Sequence, residues 1–599
     1  MSDSIDPELL DYYQRELNWL RHAGAQFAAR HPKVARRLEL SPGECPDPHV
    51  ERLLEGFSLL AARLHRRLDD DYAEFSDALL EQLYPLALRP LPSCAIVQFD
   101  PDPSQGNLAE GYRLPRDTPL FVTTRDGASV HFRTSAEVEL WPLVISEASL
   151  LDGDSAVALT GRPDARSALS LTLRCLGEFD WSQLPARRLR LHLAAAPVTS
   201  ASLLDLLGAH CLGLHCGAPG LPLQACPGVP GLVGFADDQA LLPDEDGQHP
   251  GLRLLAEYFA FPDKFAFFDL PLQPPATGGR ECRVVIAFDR APNGRPHLQA
   301  SDLQLGCAPA INLFPRTSEP LRPDGTRSEY RLVADAHREN SVEIHSIRRV
   351  RATSARGVSA VPAYYGQVRD DLSSSAGLYW HGRRVQGMAP NRRGTDLLLS
   401  LVDTGFDPLL DAPEYSLTAE LLCTNRHLAE NLPAGTRLGF ERPGPVARAT
   451  LRNPPTPQSL PRLSGESRWR LVSQLTLNHL SLVEGPQALA ALKELLNLHN
   501  LRDEAGPRRQ IDGIARLSCE RVMARVGDDA WRGWRNGLEV RIDLDSEHFA
   551  GTSAVLFSAV LAQFFSLYAT ANRFVRTVLV DADKEVRTWQ PQAGMPLCL

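Results

Sequence analysis

Residues 234–270 read GFADDQALLPDEDGQHPGLRLLAEYFAFPDKFAFFDL and hold six aromatic side chains within eleven positions, in a chain that is only 7% aromatic. Leu252 to Phe259 predicts a short apolar helix that ends near Pro262, because proline lacks an amide hydrogen and disfavours helix in the residue before it. Lys264 to Leu270 predicts a strand with apolar side chains on both faces, which is typical of a strand covered on both sides. The stretch therefore predicts a packed helix–strand junction inside a large body.

This aromatic junction carries no recognisable chemistry. It contains no nucleophile in a catalytic context, no set of metal ligands and no glycine cradle. The rest of the chain has no GxSxG elbow, P-loop, GxGxxG or HExxH motif, which lowers the expectation of an enzyme, although a triad assembled in space stays open. The acidic residues beside the junction, Asp237, Asp238 and Asp244 to Asp246, face either solvent or a neighbouring subunit, and the sequence does not choose between the two.

Length and composition indicate a large globular protein. At about 150 residues per domain, 599 residues predict three to four domains, and 43% hydrophobic and 23% charged residues are ordinary for such a chain. A net charge of −10 argues against a broad basic surface for nucleic acid. The N-terminus lacks the pattern of a signal peptide, and no apolar run is long enough for a bilayer, so we expect a cytoplasmic protein without direct membrane insertion.

The first 92 residues predict long amphipathic helices, because apolar residues recur at steps of three and four. Such helices form bundles, and the bundle is either closed within this chain or completed by helices of a partner. The periodicity alone does not decide between these two hypotheses. We take as the candidate partner interface the apolar residues of the two helices, namely Tyr13, Leu17, Leu20, Phe27, Leu53, Phe57, Leu60 and Leu64.

Short β-rich runs separated by proline and glycine turns occupy residues 93–460 and predict sandwich or barrel-like domains. The chain then becomes mixed α/β, with strongly apolar helix predicted at Val555 to Thr570. The predicted fold class is therefore multidomain α+β, with N-terminal long helices, central β-rich domains and a C-terminal α/β domain. The predicted boundaries are 1–92, 93–280 (with the aromatic junction), 281–460 and 461–599. Three proline-rich breaks are candidate hinges: 41–48, 85–92 and 454–461.

The segment HCLGLHC, with Cys226 ten residues further on, is the best candidate for a metal site in this sequence. Thiolate and imidazole suit zinc, but the spacing matches no common finger or ribbon, and the alternating leucines look like an apolar strand. We therefore expect no metal and no cofactor, and interpret the eleven cysteines as mostly buried thiols. The residues in question are His210, Cys211, His215 and Cys216.

Ordered blocks along almost the whole chain resemble the TssF family, also called ImpG or VasA. They include YYQRELNWLR (Tyr12 to Arg21), LYPLALRPLPSCAIVQFDP (Leu83 to Pro101), LGCAPAINLFP (Leu305 to Pro315) and LLCTNRHLAENLP (Leu421 to Pro433). The aromatic junction is the most specific of them. Proteins of this family are baseplate subunits of the bacterial type VI secretion system.

The resemblance implies a structural role without catalytic residues. It implies a wedge complex of two TssF copies with one TssG, arranged around the VgrG spike of a phage tail-like contractile injection system. Contacts to TssE and the sheath are implied, together with TssK as the link that docks the cytoplasmic baseplate at the inner membrane. Two other classes stay open from the residues alone: a hydrolase of envelope polymers and a carbohydrate-binding β protein of a phage-tail-like particle.

Overall fold

The fold is seen in a computed structural model that describes most of the chain. The described residues are 7–31, 33–34, 48–105, 108–125, 127–185, 187–244, 248–273, 278–292, 294, 296–324, 326–355, 357–364, 378–387, 389, 393–403, 415–441, 444–463, 465–475, 488–500, 502, 504–525, 534–566, 569, 573–581 and 584–593. Among them, backbone alone is described at 7–8, 11, 66, 68–74, 403, 465–466, 474 and 592–593. The predicted hinge at 41–48 lies almost entirely outside the described residues.

Nine described helices and 29 described strands follow one another along the chain. The helices are α1 Pro7–Arg30, α2 Pro48–Leu83, α3 Gly153–Thr160, α4 Pro197–Ala209, α5 Pro250–Ala260, α6 Gly465–Leu475, α7 Ala488–His499, α8 Ala505–Asp512 and α9 Ala554–Ser566. The strands are β1 Cys94–Pro101, β2 Tyr112–Leu114, β3 Pro119–Thr123, β4 Ser129–Thr134, β5 Val138–Leu140, β6 Leu143–Asp152, β7 Ser167–Cys175, β8 Arg188–Leu193, β9 Cys211–Gly217, β10 Gln224–Cys226, β11 Gly231–Leu232, β12 Phe267–Pro271, β13 Glu281–Phe288, β14 Leu303–Gln304, β15 Cys307–Ile311, β16 Phe314–Thr317, β17 Glu329–Arg331, β18 Glu343–Ser354, β19 Gly357–Val361, β20 Leu378–Gln386, β21 Thr395–Asp403, β22 Tyr415–Thr424, β23 Arg437–Phe440, β24 Val446–Leu451, β25 Ile514–Arg525, β26 Trp534–Leu544, β27 Phe574–Asp581, β28 Lys584–Thr588 and β29 Gln592–Ala593.

The chain divides into two compact units. Unit 1 comprises Met1–Glu81 with Arg462–Thr476, and unit 2 comprises Gln82–Pro461 with Leu477–Leu599. Unit 1 holds α1, α6 and nearly all of α2. The N-terminal sequence predicts the helices α1 and α2 from its amphipathic periodicity, whereas α6 comes from the segment 461–599, which the sequence suggested as a C-terminal domain. Unit 2 holds all of the described strands.

The aromatic junction forms a helix and a strand as predicted, with one correction at the turn between them. Helix α5 ends at Ala260, but Lys264 and Phe265 belong to a 3-10 turn, Pro262–Phe265, and the strand begins only at Phe267. Proline at the first position fixes a helical φ, and the amide that follows the turn donates to the Asp263 carbonyl, which keeps the chain coiled for one more turn. Strand β12 is buried on both faces, as expected.

Unit 2 contains a closed six-stranded barrel with the strand order β1-β15-β4-β3-β23-β24. Its interior is filled by alternating side chains such as Val97, Phe99, Val130 and Phe132. The barrel takes strands from 94–134, 307–311 and 437–451, so it draws on both sides of position 280, where the sequence suggested a domain boundary. Closure depends on contacts between segments that are distant in sequence, which local turn signals do not report.

Six other sheets belong to unit 2. One has five strands in the order β10-β9-β13-β7-β6, and another has four in the order β11-β12-β8-β14. Two more, β16-β22-β18-β19 and β17-β21-β20, share one hydrophobic core, and β2 pairs with β5. The C-terminal sheet is β25-β26-β27-β28, with β29 also on β27.

Two of the predicted hinges are tied to each other in unit 2. The Leu91 amide donates to the Ser459 carbonyl at 2.8 Å, and the Ser459 amide donates back to the Leu91 carbonyl at 3.0 Å. Arg502 also donates to the carbonyl of Pro457 at 2.6 Å. The two hydrogen bonds between Leu91 and Ser459 join the proline-rich segments 85–92 and 454–461, and Arg502 holds the second segment in addition.

Helix α9 is the crossover between the parallel strands β26 and β27, and its side chains are buried almost throughout. Its start is capped from another helix. Asp205 of α4 accepts hydrogen bonds at Oδ1 from the Val555 amide at 3.1 Å and from the Ser553 hydroxyl at 2.5 Å. Burial is the main cause that raises the pKa of Asp205 to about 6, against the lowering effect of these hydrogen bonds.

This cap predicts a measurable pH dependence of stability. The folded pKa of Asp205 lies above its ordinary value of 3.8, so the folded state binds the proton more tightly than the unfolded state does. The contribution of Asp205 to the free energy of unfolding therefore falls as the pH rises from about 4 to about 6. The loss amounts to about 3 kcal/mol at 1.36 kcal/mol per pKa unit. We expect the difference in unfolding free energy between the wild type and Asp205→Asn to change by most of that amount from pH 4 to pH 7. A constant difference in chemical denaturation across this range would contradict the prediction.

Gly234 opens the aromatic junction in a conformation that other residues rarely adopt, with φ +111°. A Cβ atom there would lie 2.9 Å from Cδ1 of Phe265, a side chain that is fully buried. We expect Gly234→Ala to lower the free energy of unfolding by about 1–3 kcal/mol. Gly231→Ala is the matched control, because a Cβ atom at Gly231 meets no atom within 4 Å. Equal thermal unfolding midpoints for the two variants would show that Phe265 can move aside.

Candidate interaction surface

Helices α1 and α2 of unit 1 run antiparallel and are joined by ion pairs. The Arg21 guanidinium pairs with the Glu51 carboxylate, and Nδ1 of His65 lies 2.7 Å from Oε1 of Glu16. The residue numbers fall along α1 as they rise along α2, which fixes the antiparallel direction.

The face of α2 that meets α1 is lined by small side chains. Ser58 and Ala62 are fully buried, and they share the helical spacing of Glu51 and His65, the two residues that pair with α1. Ser58 donates its hydroxyl hydrogen to the Leu54 carbonyl at 2.7 Å, so its polar atom is satisfied within the helix. Small side chains let the two helices approach closely without using the large apolar residues of α2.

Those large residues form a separate stripe along α2 that is exposed. The exposed fractions are 73% for Leu53, 61% for Phe57, 65% for Leu60 and 61% for Leu64. Their spacing of four, three and four residues places them on one side of the helix. We call this set the α2 apolar stripe. Four large apolar side chains exposed together are unusual on a protein that functions as a monomer.

The predicted interface residues of α1 are more enclosed than those of α2. Tyr13, Leu17 and Leu20 are half-buried, and Phe27 is exposed. Burial, followed by the charge of Glu55 on α2, raises the pKa of Tyr13, which places its phenol beside that helix. The predicted set is therefore divided: the residues of α2 face outward, whereas most of those of α1 contribute to the packing of unit 1.

Three further exposed aromatic residues of unit 1 are absent from the predicted interface. Trp19 is 64% exposed, Phe75 62% and Trp469 54%. Trp19 lies between Leu17 and Leu20 of the predicted interface, so a pattern of apolar residues at steps of three and four does not include it. Trp469 is on α6, which is joined to α2 by Arg468 and Asp77 at 2.9 Å.

The segment HCLGLHC forms the end of α4 and strand β9 rather than a shared ligand set. His215 and Cys216 are consecutive residues of β9 and therefore point to opposite faces of the sheet. His210 instead pairs through Nδ1 with the Asp289 carboxylate at 2.9 Å. Burial raises the pKa of the Cys211 thiol. Within the described ranges, no three His, Cys, Asp or Glu side chains are grouped to hold a metal ion.

Two of the acidic residues beside the aromatic junction are paired within the chain. Arg253, which is almost fully buried, donates to Oδ1 of Asp237 at 2.6 Å and to Oδ1 of Asp244 at 2.7 Å. The two carboxylates are themselves largely exposed, so they neutralise a buried guanidinium from the solvent side. Residues 245 and 246 lie outside the described part of the chain.

Comparisons with known proteins agree on one family. The family model for "Type VI secretion system, TssF" matches residues 5–596. "Type VI secretion system component TssF1" of Pseudomonas aeruginosa is 32% identical over 623 residues, which cover 98% of this chain and 99% of that protein.

Two solved structures are also similar. A cryo-electron microscopy structure of the type VI secretion system TssK-TssF-TssG baseplate subcomplex contains a chain with a TM-score of 0.70 and 25% identity, covering 90% of this chain and 98% of that chain. The baseplate complex from the type VI secretion system contains a chain with a TM-score of 0.59 and 25% identity, covering 98% and 100%. No helix among the described residues is long and apolar enough to cross a membrane.

Proposed function

Because this chain belongs to the TssF family and is a structural component of the type VI secretion baseplate, we propose that it is the wedge subunit that binds TssG and TssK. The α2 apolar stripe is the observation that carries this proposal. It supplies one continuous helical face that unit 1 leaves exposed.

The α2 apolar stripe suits the helices of a partner such as TssG. A helix lying along it would cover residues spaced over about three turns, in the manner of a helical bundle. Full burial of a leucine or phenylalanine side chain is worth about 1.5–3 kcal/mol, so the four residues together can contribute several kcal/mol to association. The exposed Phe27 would extend the same kind of contact to α1.

The other proposed contacts follow the family pattern. We propose a second TssF copy in the wedge, contacts to TssE and the sheath, and a position around the VgrG spike at the inner membrane. The two copies would share one TssG, and so the same surface would meet different neighbours in each copy. A face of plain apolar side chains, without directional polar groups at its centre, tolerates such differences in partner geometry.

Co-expression with the TssG and TssK encoded beside this chain tests the proposal. We expect a complex that survives size-exclusion chromatography, with a mass measured by light scattering that contains all three proteins. Separate elution of this chain from both TssG and TssK would contradict the proposal. Incubation of the purified complex with muropeptides is the parallel assay for the hydrolase hypothesis, and we expect no turnover.

A further inference from the structure

A cleft of about 840 Å³ opens in unit 2 between the barrel and the sheet that contains β8 and β12. Ligand-binding clefts have volumes of about 300–1,000 Å³, so this one is large enough for a segment of polypeptide. One wall comes from β8, another from β1 and β24, and the third from the residues around β5 and β6. The α2 apolar stripe belongs to unit 1 and has no part in it.

One side of the cleft has an excess of positive charge. Arg190 makes two hydrogen bonds to the Asp269 carboxylate at 2.8 and 3.0 Å, and Arg448 pairs with Asp100. Within the described ranges, the one carboxylate that Arg188 approaches is the already occupied Asp269, at 3.5 Å, and the Arg188 side chain is 63% exposed. Its guanidinium therefore keeps donors available for a ligand.

Arg452 adds a second available guanidinium on the barrel side. It follows strand β24, is exposed and makes no ion pair within the described part of the chain. It lines the same cleft as Arg188, Leu189 and Arg190 of β8. Arg188, on β8, and Arg452, which follows β24 of the barrel, thus line one cleft from two different sides.

The whole lining holds five arginines and five carboxylates, so the surplus at Arg188 and Arg452 depends on how the other charges are paired. Glu139 is paired with Arg113 at 3.0 Å, and Glu137 lies 4.0 Å from the same arginine. Arg116 donates to the backbone carbonyls of Asp237 and Ala240, and the exposed Asp238 belongs to the same lining.

Apolar side chains form much of the wall around β5 and β6 and are held in place. Trp141 closes this wall and packs against Gly111, which has φ +77° and where a Cβ atom would lie 2.9 Å from the indole ring. The cleft therefore offers two guanidinium groups beside a fixed apolar wall. The buried apolar residues of this wall are Val138, Leu140, Leu143 and Ile145.

We propose that this cleft binds an extended segment of another baseplate subunit, in which a carboxylate side chain is flanked by apolar side chains. The carboxylate accepts from Arg188 and Arg452, and its apolar neighbours pack on the wall formed by β5 and β6. Charge complementarity selects an acidic segment, and the apolar wall favours a peptide over a free anion. This inference rests on the proposed function, because it takes the partner from the assembled baseplate.

Photo-crosslinking in the purified complex with TssG and TssK tests the inference. Val144, which lines the cleft and is only half-buried, is replaced by p-benzoylphenylalanine, and the linked peptide is identified by mass spectrometry. Ser301, an exposed residue of the same lining, is a second position in case the first substitution disturbs assembly. The control replaces Val358, which is 65% exposed and lies outside the cleft.

We expect the cleft positions to capture one acidic segment of a partner subunit, and the control position to capture none of it. An assembled complex without such a crosslink overturns the inference and leaves the proposed function intact. Failure of the unsubstituted chain to assemble with TssG and TssK overturns both.

Charge-reversal variants distinguish peptide binding in the cleft from the binding of a small anion. We expect Arg188→Glu with Arg452→Glu to reduce the crosslink yield about tenfold. The matched control, Arg437→Glu with Arg521→Glu, changes two exposed arginines outside the cleft and should leave the yield unchanged. The same variants are titrated with inorganic phosphate and with glutarate. Binding of either anion that depends on the two cleft arginines, in a chain whose cleft captures no peptide, would identify a small-anion site and refute the peptide proposal.

Discussion

Aspartate at both Phe57 and Leu60 is expected to abolish the complex with TssG, with a loss of affinity of at least about 100-fold. If the α2 apolar stripe is the interface, complex formation would bury two unpaired carboxylates, each at a cost of several kcal/mol, and would lose the burial of two large apolar side chains. The measurement is co-purification, followed by titration of the purified proteins. The variant chain itself should fold, because these side chains are 61% and 65% exposed.

The matched control for this variant lowers the net charge by the same amount on the same helix. Arg52 and Arg63 are exposed residues of α2 outside the stripe, and Arg52→Gln with Arg63→Gln should leave the complex intact. Assembly that persists in the Phe57 and Leu60 variant, with unchanged affinity, would remove the α2 apolar stripe from the interface. Substitution of Leu17 is a weaker test, because this half-buried residue of α1 also contributes to the packing of unit 1.

Removal of the buried charge at Glu257 by Glu257→Gln is expected to lower the free energy of unfolding by about 3–5 kcal/mol. The Glu257 carboxylate is fully buried and accepts hydrogen bonds from the amides of Leu241 and Leu242 at 2.9 and 2.8 Å, and its second oxygen pairs with the ammonium group of Lys264. Loss of this carboxylate leaves the buried ammonium without its counter-charge. Burial already lowers the pKa of Lys264, and Glu257 is the main group that opposes this effect.

A double substitution distinguishes the effect of the unpaired buried charge from the effect of the changed side-chain shape. Glu257→Gln with Lys264→Met removes both charges and should recover more than half of the lost stability, because no buried ammonium then remains unpaired. The deficit of the single variant should also shrink as the pH rises toward the ordinary lysine pKa value of 10.5, since a lysine with a lowered pKa loses its proton first in the folded state. Thermal unfolding and hydrogen exchange of segment 250–271 measure both effects. A single-variant cost below about 1 kcal/mol would contradict this account of the junction.

Local sequence patterns predicted most of the elements near the aromatic junction and in the C-terminal part. Helix α5, strand β12 and helix α9 lie within a few residues of their predicted positions, because each is a short apolar segment bounded by proline, glycine or polar residues. The exception at Lys264 follows from Pro262, which starts a 3-10 turn, and from a contact that this turn allows. Its ammonium group reaches Glu257 from the 3-10 turn, a partner that strand periodicity does not reveal.

The helices α3 and α8 were not predicted, since each has only eight residues and neither shows a repeated apolar step. The sequence predicts sandwich or barrel-like domains, but it does not predict which strands form the barrel. Its strands β1 and β24 pair although they are distant in sequence, as in the contact of Val97 with Leu451, and no local pattern encodes that register. The same holds for the cleft, whose two arginines Arg188 and Arg452 are distant in sequence.

Local patterns in the sequence are enough to predict that the N-terminal helices are amphipathic, with apolar residues at steps of three and four, and the ordered blocks along the chain indicate the family. Which face of α2 meets α1 becomes known from the folded chain, not from the periodicity. Small side chains at Ser58 and Ala62 permit close helix packing, and the ion pairs on the same face orient it inward, so the larger Leu53 and Phe57 stay exposed. Periodicity marks apolar positions, but the choice among faces depends on side-chain size and on partners distant in sequence, which are set when the chain folds.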